Sequence, residues 1–140
     1  MPREAARQCG QLVLHCTGDP AAVSLCHCLD CQRRTGSTFG IGAFFPRESV
    51  SVAKGSSTRF TRPSDSGASV TSHFCAVCGS TVWWEPERAP SLVGVAVGAF
   101  ANPDFPAPTQ ATWSKRQHRW LHLPDETVSY AEGSARRAPS

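Results

Sequence analysis

The residues best suited to chemistry are three cysteines in a run of six, Cys26-His27-Cys28-Leu29-Asp30-Cys31. Side chains alternate along an extended chain, so a C-x-C step places both sulfurs on one face. The x-x-C turn that follows brings a third sulfur back towards them. Tetrahedral zinc takes thiolates at about 2.3 Å, and three protein ligands leave one position open, as in catalytic zinc sites. The spacing therefore predicts a zinc site here, with a set of buried or disulfide-bonded cysteines as the alternative.

A second group of thiols follows later in the chain, at Cys75-Ala76-Val77-Cys78-Gly79. A C-x-x-C step at a hairpin tip, closed by a glycine, is typical of a zinc knuckle. The competing interpretation is a redox C-x-x-C, but that motif normally opens a helix beside a parallel sheet. Predicted strands flank this pair, so the knuckle is favoured. A knuckle supplies two ligands, and Cys9, just before the first predicted strand, is the natural third.

Composition favours metal binding over disulfides. The chain has 140 residues and seven cysteines, an odd number that cannot form a fully paired disulfide framework. The first eight residues are polar, with no apolar stretch typical of a secretory signal. The longest apolar run, residues 92–100, has the length of a strand and not of a membrane span. We therefore expect a cytoplasmic protein without a membrane segment, in which clustered cysteines bind metal.

The charge pattern argues against a nucleic-acid partner. The formal net charge is +3, but residues 8–132 carry ten Lys/Arg and ten Asp/Glu, which cancel. The excess comes from residues near the two ends. Nucleic-acid binders usually concentrate positive charge on the folded surface, so we expect none of that partner class here.

Short strands separated by Gly/Pro turns predict a mainly β, single-domain protein. The domain is expected to span residues 9–132, between flexible tails at 1–8 and 133–140. One helical turn is predicted over Leu29–Thr35, and glycines 40 and 42 indicate a close backbone approach in one strand. The predicted strands cover Gln11–Cys16, Ala22–Cys26, Phe39–Phe45, Val50–Ala53, Ser57–Thr61, Ser69–Phe74, Thr81–Glu85, Leu92–Phe100, Thr109–Trp113 and Thr127–Ala131.

Three motifs, taken in order, resemble the glutathione-dependent formaldehyde-activating enzyme family, which also includes centromere protein V. They are Cys9-Gly10-Gln11-Leu12, then the run from Cys26 through Gln32-Arg33-Arg34-Thr35-Gly36-Ser37, then His73-Phe74-Cys75-x-x-Cys78-Gly79-Ser80. The resemblance implies a β-tent zinc fold of short antiparallel strands. It also implies a catalytic zinc on Cys26, Cys28 and Cys31, and a structural zinc on Cys9, Cys75 and Cys78.

The chain departs from the family pattern at position 7. The family's N-terminal C-x-C is Arg7-Gln8-Cys9 here, so one ligand of the structural site is missing. Water or another residue completes that site, or it is weakly occupied. These alternatives remain open at the level of sequence.

The resemblance also implies an activity. It is that of a carbon–sulfur lyase that joins a thiol, glutathione or a similar compound, to formaldehyde or another small aldehyde, reversibly giving an S-hydroxyalkyl thiol. Zinc would either favour the thiolate or polarise the carbonyl, and the residues do not decide between them. Arg33 and Arg34, which follow the cluster directly, are expected to bind a substrate carboxylate, with compensation of the negative charge of a zinc bound by three thiolates as the alternative. The alternatives are a non-catalytic zinc module that binds protein or chromatin, and a thiol-rich metal or redox sensor.

Overall fold

The computed structural model describes residues 2–64 and 67–133, and within them the chain is mainly β. The prediction of a mainly β, single-domain protein is confirmed. Helix α1 spans Leu29–Thr35, and short 3-10 helices lie at Arg47–Ser49, Val97–Phe100 and Ser114–Arg116. The strands of the described residues are β1 (Arg3–Ala6), β2 (Val13–Cys16), β3 (Ala22–Cys26), β4 (Gly40–Pro46), β5 (Val50–Lys54), β6 (Ser57–Pro63), β7 (Ser69–Cys75), β8 (Thr81–Pro86), β9 (Leu92–Ala96), β10 (Gln110–Thr112) and β11 (Val128–Ser129).

The strands form two sheets. A small sheet has the order β1-β2-β5, and a large one has the order β11-β10-β3-β4-β9-β8-β7-β6. Most neighbours are antiparallel, but β10 runs parallel to both β3 and β11. A parallel pair needs a connection of a dozen or more residues, and the long segment 113–127 between β10 and β11 provides it. The prediction of antiparallel strands therefore holds except at this edge.

One hydrophobic cluster joins the two sheets, as expected for packed layers around a single core. Side chains alternate along β2, with Leu14 and Cys16 buried and their neighbours half-buried. The buried members of the cluster are Ala5, Leu12, Leu14, Cys16, Val23, Ala43, Phe45, Cys75, Val82, Val93, Val95 and Phe105. Because Cys75 belongs to this core, the second thiol group is anchored where the two sheets meet.

The prediction of a flexible tail over residues 1–8 is wrong for residues 3–6. These residues form β1, which pairs antiparallel with β2, and Ala5 is completely buried. The segment Arg-Glu-Ala-Ala has neither β-branched nor aromatic residues, so its strand propensity is low. Pairing with β2 and burial of Ala5 outweigh that propensity. Residues 134–140 of the predicted C-terminal tail lie outside the described residues.

Glycines of β4 and β9 make room for an indole ring on the large sheet. The ring of Trp84, on β8, lies directly over Gly42 and Gly94. A Cβ atom at Gly94 would lie 2.4 Å from Trp84 Cε2, and one at Gly42 would lie 2.6 Å from Cζ2. The close approach predicted from the glycines of this segment is thus present, and it fixes where Trp84 lies. Within the described part of the chain, no helix has the length and apolar character needed to cross a membrane.

This packing leads to a first prediction. Gly94→Ala should lower the free energy of unfolding by about 1–3 kcal/mol, because the added methyl overpacks the contact with Trp84. Gly98→Ala is the matched control, since a Cβ atom there meets nothing within 4 Å, and it should change stability by no more than about 0.5 kcal/mol. Urea denaturation followed by fluorescence measures both. Equal effects of the two substitutions would contradict this account of the contact.

Candidate metal centres and the adjoining cavity

The first thiol cluster lies where β3 leaves the large sheet. Cys26 is the last residue of β3, and the His27 N–H donates to the Thr112 carbonyl of β10 at 3.0 Å. Cys28 caps helix α1, and its Sγ accepts the Cys31 N–H at 3.3 Å. The sulfurs of Cys26, Cys28 and Cys31 all lie within 4.8 Å of one another. The end of the strand and the first turn of the helix therefore bring together the thiols that the spacing predicted.

This cluster fits zinc. Ligands at 2.3 Å in a tetrahedron stand about 3.8 Å apart, and the three sulfurs lie within 4.8 Å of one another. Hydrogen bonds from the Cys28 and Cys31 thiols lower the pKa of Cys26. The pKa of Cys28 is raised, because Cys28 is hydrogen-bonded to Cys26 and Cys31. The thiols thus share protons in a way that favours one thiolate even without a cation. Among the described residues the cluster has three ligand-type side chains, which leaves one tetrahedral position for another ligand.

His27 lies between two of these thiols in sequence but does not join their cluster. Its side chain is completely buried, and neither ring nitrogen has a hydrogen-bond partner among the described residues. Burial lowers the pKa of His27, so its neutral form is favoured. The position agrees with the alternation of side chains along an extended segment.

Two side chains of α1, Gln32 and Asp30, tie the cluster to the rest of the fold, and sequence analysis assigned no role to Gln32. The Gln32 amide donates to the His27 carbonyl at 2.8 Å and to the Arg116 carbonyl at 3.3 Å, and its oxygen accepts from His118 at 3.0 Å. Asp30 forms an ion pair with Arg62 of β6 at 3.0 Å. The sequence shows only that Gln32 is a polar residue directly after Cys31. Its role could not be predicted from that, because its partners Arg116 and His118 are distant in sequence.

The second thiol cluster joins the N-terminal turn to the knuckle. The sulfurs of Cys9, Cys75 and Cys78 lie within 4.8 Å of one another, and Cys9 Sγ is 3.4 Å from Cys75 Sγ. The Gly79 N–H donates to the Cys75 carbonyl at 2.8 Å, and Gly79 has a φ of 78°. A left-handed backbone of this kind is what glycine provides in a tight turn. The predicted grouping of these three thiols is therefore present in the structure.

Polar neighbours favour the charged form of Cys75 and Cys78. The pKa of Cys9 is instead raised, because the hydrogen bond from the Gln11 backbone is outweighed by desolvation and by the neighbouring thiols. The backbone N–H and hydroxyl of Ser80 lower the pKa of Cys78 to about 6, and the Cys78 backbone N–H lowers the pKa of Cys75. Gln11 Nε2 also donates to Cys75 Sγ at 3.3 Å, while the Gln11 oxygen accepts from the Ser56 N–H at 2.9 Å. The thiolate is the form of cysteine that binds zinc, so this donor set fits zinc as well.

Arg7 does not replace the missing cysteine as a ligand. Its Nη1 donates to the Thr81 carbonyl at 2.9 Å, and its Nε is buried without a hydrogen-bond partner among the described residues. The Arg7 carbonyl accepts the Gly10 N–H at 2.9 Å, which closes the turn that presents Cys9. Among the described residues, this cluster also has three ligand-type side chains.

A cavity of about 490 Å³ lies beside the two clusters. Cys78 of the second cluster lines it directly, and near the first cluster it is lined by Gly40, where a Cβ atom would lie 3.5 Å from Cys31 Cβ. The lining residues are Arg7, Arg34, Thr35, Phe39, Gly40, Ile41, Cys78, Gly79, Ser80, Thr81, Ala96, Gly98 and Ala99. The volume falls in the range of small-molecule sites, about 300–1,000 Å³, and the lining contains two arginines and no acidic residue.

Of the two arginines predicted to bind substrate, only Arg34 lines this cavity. Its guanidinium carbon lies 4.4 Å from the ring centroid of Trp84, a cation–π contact. Gly40 permits this position, because a Cβ atom there would lie 2.6 Å from Arg34 Nη2. Arg33 is exposed and outside the cavity lining, and its predicted role stays a prediction.

Comparisons with known proteins agree with the fold. Residues 3–116 match the sequence profile of the family described as glutathione-dependent formaldehyde-activating enzyme. The crystal structure of a Rhodobacter sphaeroides protein superimposes with a TM-score of 0.57 at 18% identity, over 91% of this chain and 98% of that one. At that identity the likeness shows the fold alone. The comparison with curated proteins found no match.

Proposed function

The chain belongs to the glutathione-dependent formaldehyde-activating enzyme family, and we propose that it is a zinc-dependent enzyme of the carbon–sulfur lyase type. Its substrates are a thiol, glutathione or a similar compound, and formaldehyde or another small aldehyde. The observation that carries the proposal is the cluster of Cys26, Cys28 and Cys31, which leaves a fourth zinc position at the start of α1, the helix whose Arg34 lines a cationic cavity.

The reaction is a reversible addition. The thiol sulfur forms a bond to the aldehyde carbon, the carbonyl π bond breaks, and the thiol proton ends on the former carbonyl oxygen. The product is an S-hydroxyalkyl thiol, and no oxidant or reductant is needed. Cys26, Cys28 and Cys31 would hold zinc, which when bound would supply a Lewis acid that either favours the deprotonated thiol or polarises the carbonyl.

The chain's own residues bind and orient the thiol compound. Arg34 presents its guanidinium to the cavity and makes no hydrogen bond or ion pair with the described residues, so its donors are available for a carboxylate. The cation–π contact with Trp84 restrains that guanidinium, which reduces the entropy lost on binding. Gln32 fixes the segment around Arg116 and His118 against the cluster. We place the protein in the reducing cytoplasm, where clustered thiols remain free to bind metal.

Spectroscopy of the metal site tests the proposal. In cobalt-substituted protein, millimolar glutathione should change the visible absorption, because the open position accepts a fourth sulfur ligand. S-methylglutathione is the matched control, since its sulfur is capped and it should leave the spectrum unaltered. If glutathione and other small thiols also leave it unaltered, the enzyme proposal fails and the non-catalytic zinc module is favoured.

A further inference from the structure

Two guanidinium groups reach the same cavity from different parts of the fold. Arg34 comes from α1, and Arg7 comes from the turn between β1 and β2. Neither forms an ion pair with a carboxylate of the described residues, and no acidic residue lines the cavity. Zinc with three thiolates would carry a charge of −1, which attracts a guanidinium but offers its N–H groups no oxygen acceptor. The cavity therefore presents unpaired donors for anions.

The buried donor of Arg7 is the most specific of these observations. Nη1 is used by the Thr81 carbonyl, while Nε is inaccessible to solvent and has no partner among the described residues. A buried donor without an acceptor is costly, more so on a charged group. The Nε and Nη2 edge of a guanidinium matches the two oxygens of a carboxylate through parallel hydrogen bonds. A ligand carboxylate would supply the missing acceptors once a shift of the Arg7 side chain brings Nε to the cavity surface beside Nη2.

We propose that Arg7 is a second anion-binding residue of this cavity and that the thiol substrate carries two carboxylates, one for Arg34 and one for Arg7. The inference rests on the proposed function, because it assigns the thiol to the first cluster. It explains why this chain has Arg7 where the family pattern has a cysteine, since a zinc ligand is exchanged for a side chain that binds substrate. Arg7 is then a specificity-determining residue and not merely a lost ligand.

The affinity for S-methylglutathione, measured by calorimetry, tests this inference without requiring the enzyme to react. The ligand keeps both carboxylates but has no free thiol, so its binding does not depend on bond formation at zinc. Arg7→Gln and Arg34→Gln should each weaken its affinity by about 10- to 100-fold, the usual effect of losing a charge-assisted hydrogen bond. Arg59→Gln is the matched control, because Arg59 is exposed on β6 and outside the cavity lining, and it should change affinity less than about twofold.

The two monoamides of S-methylglutathione assign a carboxylate to each arginine. One monoamide should bind the unmodified protein as weakly as the intact ligand binds Arg7→Gln, and Arg7→Gln should not weaken it further. Such non-additivity is the signature of a direct contact. Arg34→Gln should show the same pattern with the other monoamide. Equal loss of both monoamides in Arg7→Gln would overturn the inference, as would a failure of the unmodified protein to bind S-methylglutathione.

Two checks separate this outcome from other failures. Thermal unfolding confirms that each variant is folded, and Arg7→Lys, which keeps the charge but not the two-pronged geometry, should show an intermediate loss. If Arg7→Gln does not fold, an affinity of Arg7→Lys equal to that of the unmodified protein would overturn the inference. Absence of thiol–aldehyde turnover together with the expected binding pattern would remove the proposed function and leave the anion site standing.

Discussion

Cys28→Ser should remove zinc from the first cluster, reduce thiol–aldehyde addition to the uncatalysed rate and leave the fold intact. Cys28 has two roles in the structure, because its sulfur lies in the cluster and also caps α1 through the Cys31 N–H. Serine is among the best N-cap residues, so it keeps the cap, while its hydroxyl is a poor substitute for a thiolate on zinc. The substitution thus separates metal binding from helix capping.

Metal analysis after dialysis, an exchange assay for thiol–aldehyde addition and thermal unfolding measure these effects. Cys28→Ala is the matched comparison, since it loses the cap as well and should be less stable than the serine variant by about 0.5–2 kcal/mol. Cys75→Ser should remove zinc from the second cluster only, at a larger cost to folding because Cys75 is completely buried. Loss of all zinc from either change would mean one shared site and would refute the two-site interpretation.

Arg7→Cys should convert the second cluster into a closed site with four thiolates. The new thiol at position 7 and Cys9 then provide the C-x-C of the family pattern beside Cys75 and Cys78, whose sulfurs already lie within 4.8 Å of Cys9 Sγ. Four thiolates hold zinc more tightly than three thiolates and water, and structural zinc binding contributes directly to the free energy of folding. Zinc release to a chelator should therefore slow by about tenfold or more, with a higher melting temperature.

Arg7→Ser is the matched control for this gain. It removes the same guanidinium and its hydrogen bond to Thr81 without adding a thiol. Melting curves of both variants, recorded with and without chelator, isolate the effect of the new ligand. Coincident curves for the two variants would show that a thiol at position 7 does not reach the cluster.

The local spacing of residues determined the elements around the first thiol cluster and the convergence of its sulfurs. The boundaries of β3 and α1 match their predicted ranges, Ala22–Cys26 and Leu29–Thr35, and the sulfurs of the first cluster converge as the strand-to-turn geometry requires. This works because the ligands lie within six residues, where backbone periodicity alone sets their directions. The second cluster was predictable through the order of the three motifs, since nothing local links Cys9 to the knuckle.

Only the tertiary structure decided what surrounds those thiols. Trp84 reaches Arg34 because the register of β4, β9 and β8 places Gly42 and Gly94 beneath the indole, and no local pattern encodes a register between strands so far apart in sequence. Pairing with β2, and not propensity, made β1 a strand and brought the following Arg7 to the cavity that Arg34 lines. Long-range pairing energy outweighs local preference at these positions, so the sequence by itself identified the thiols and only the fold identified the cavity.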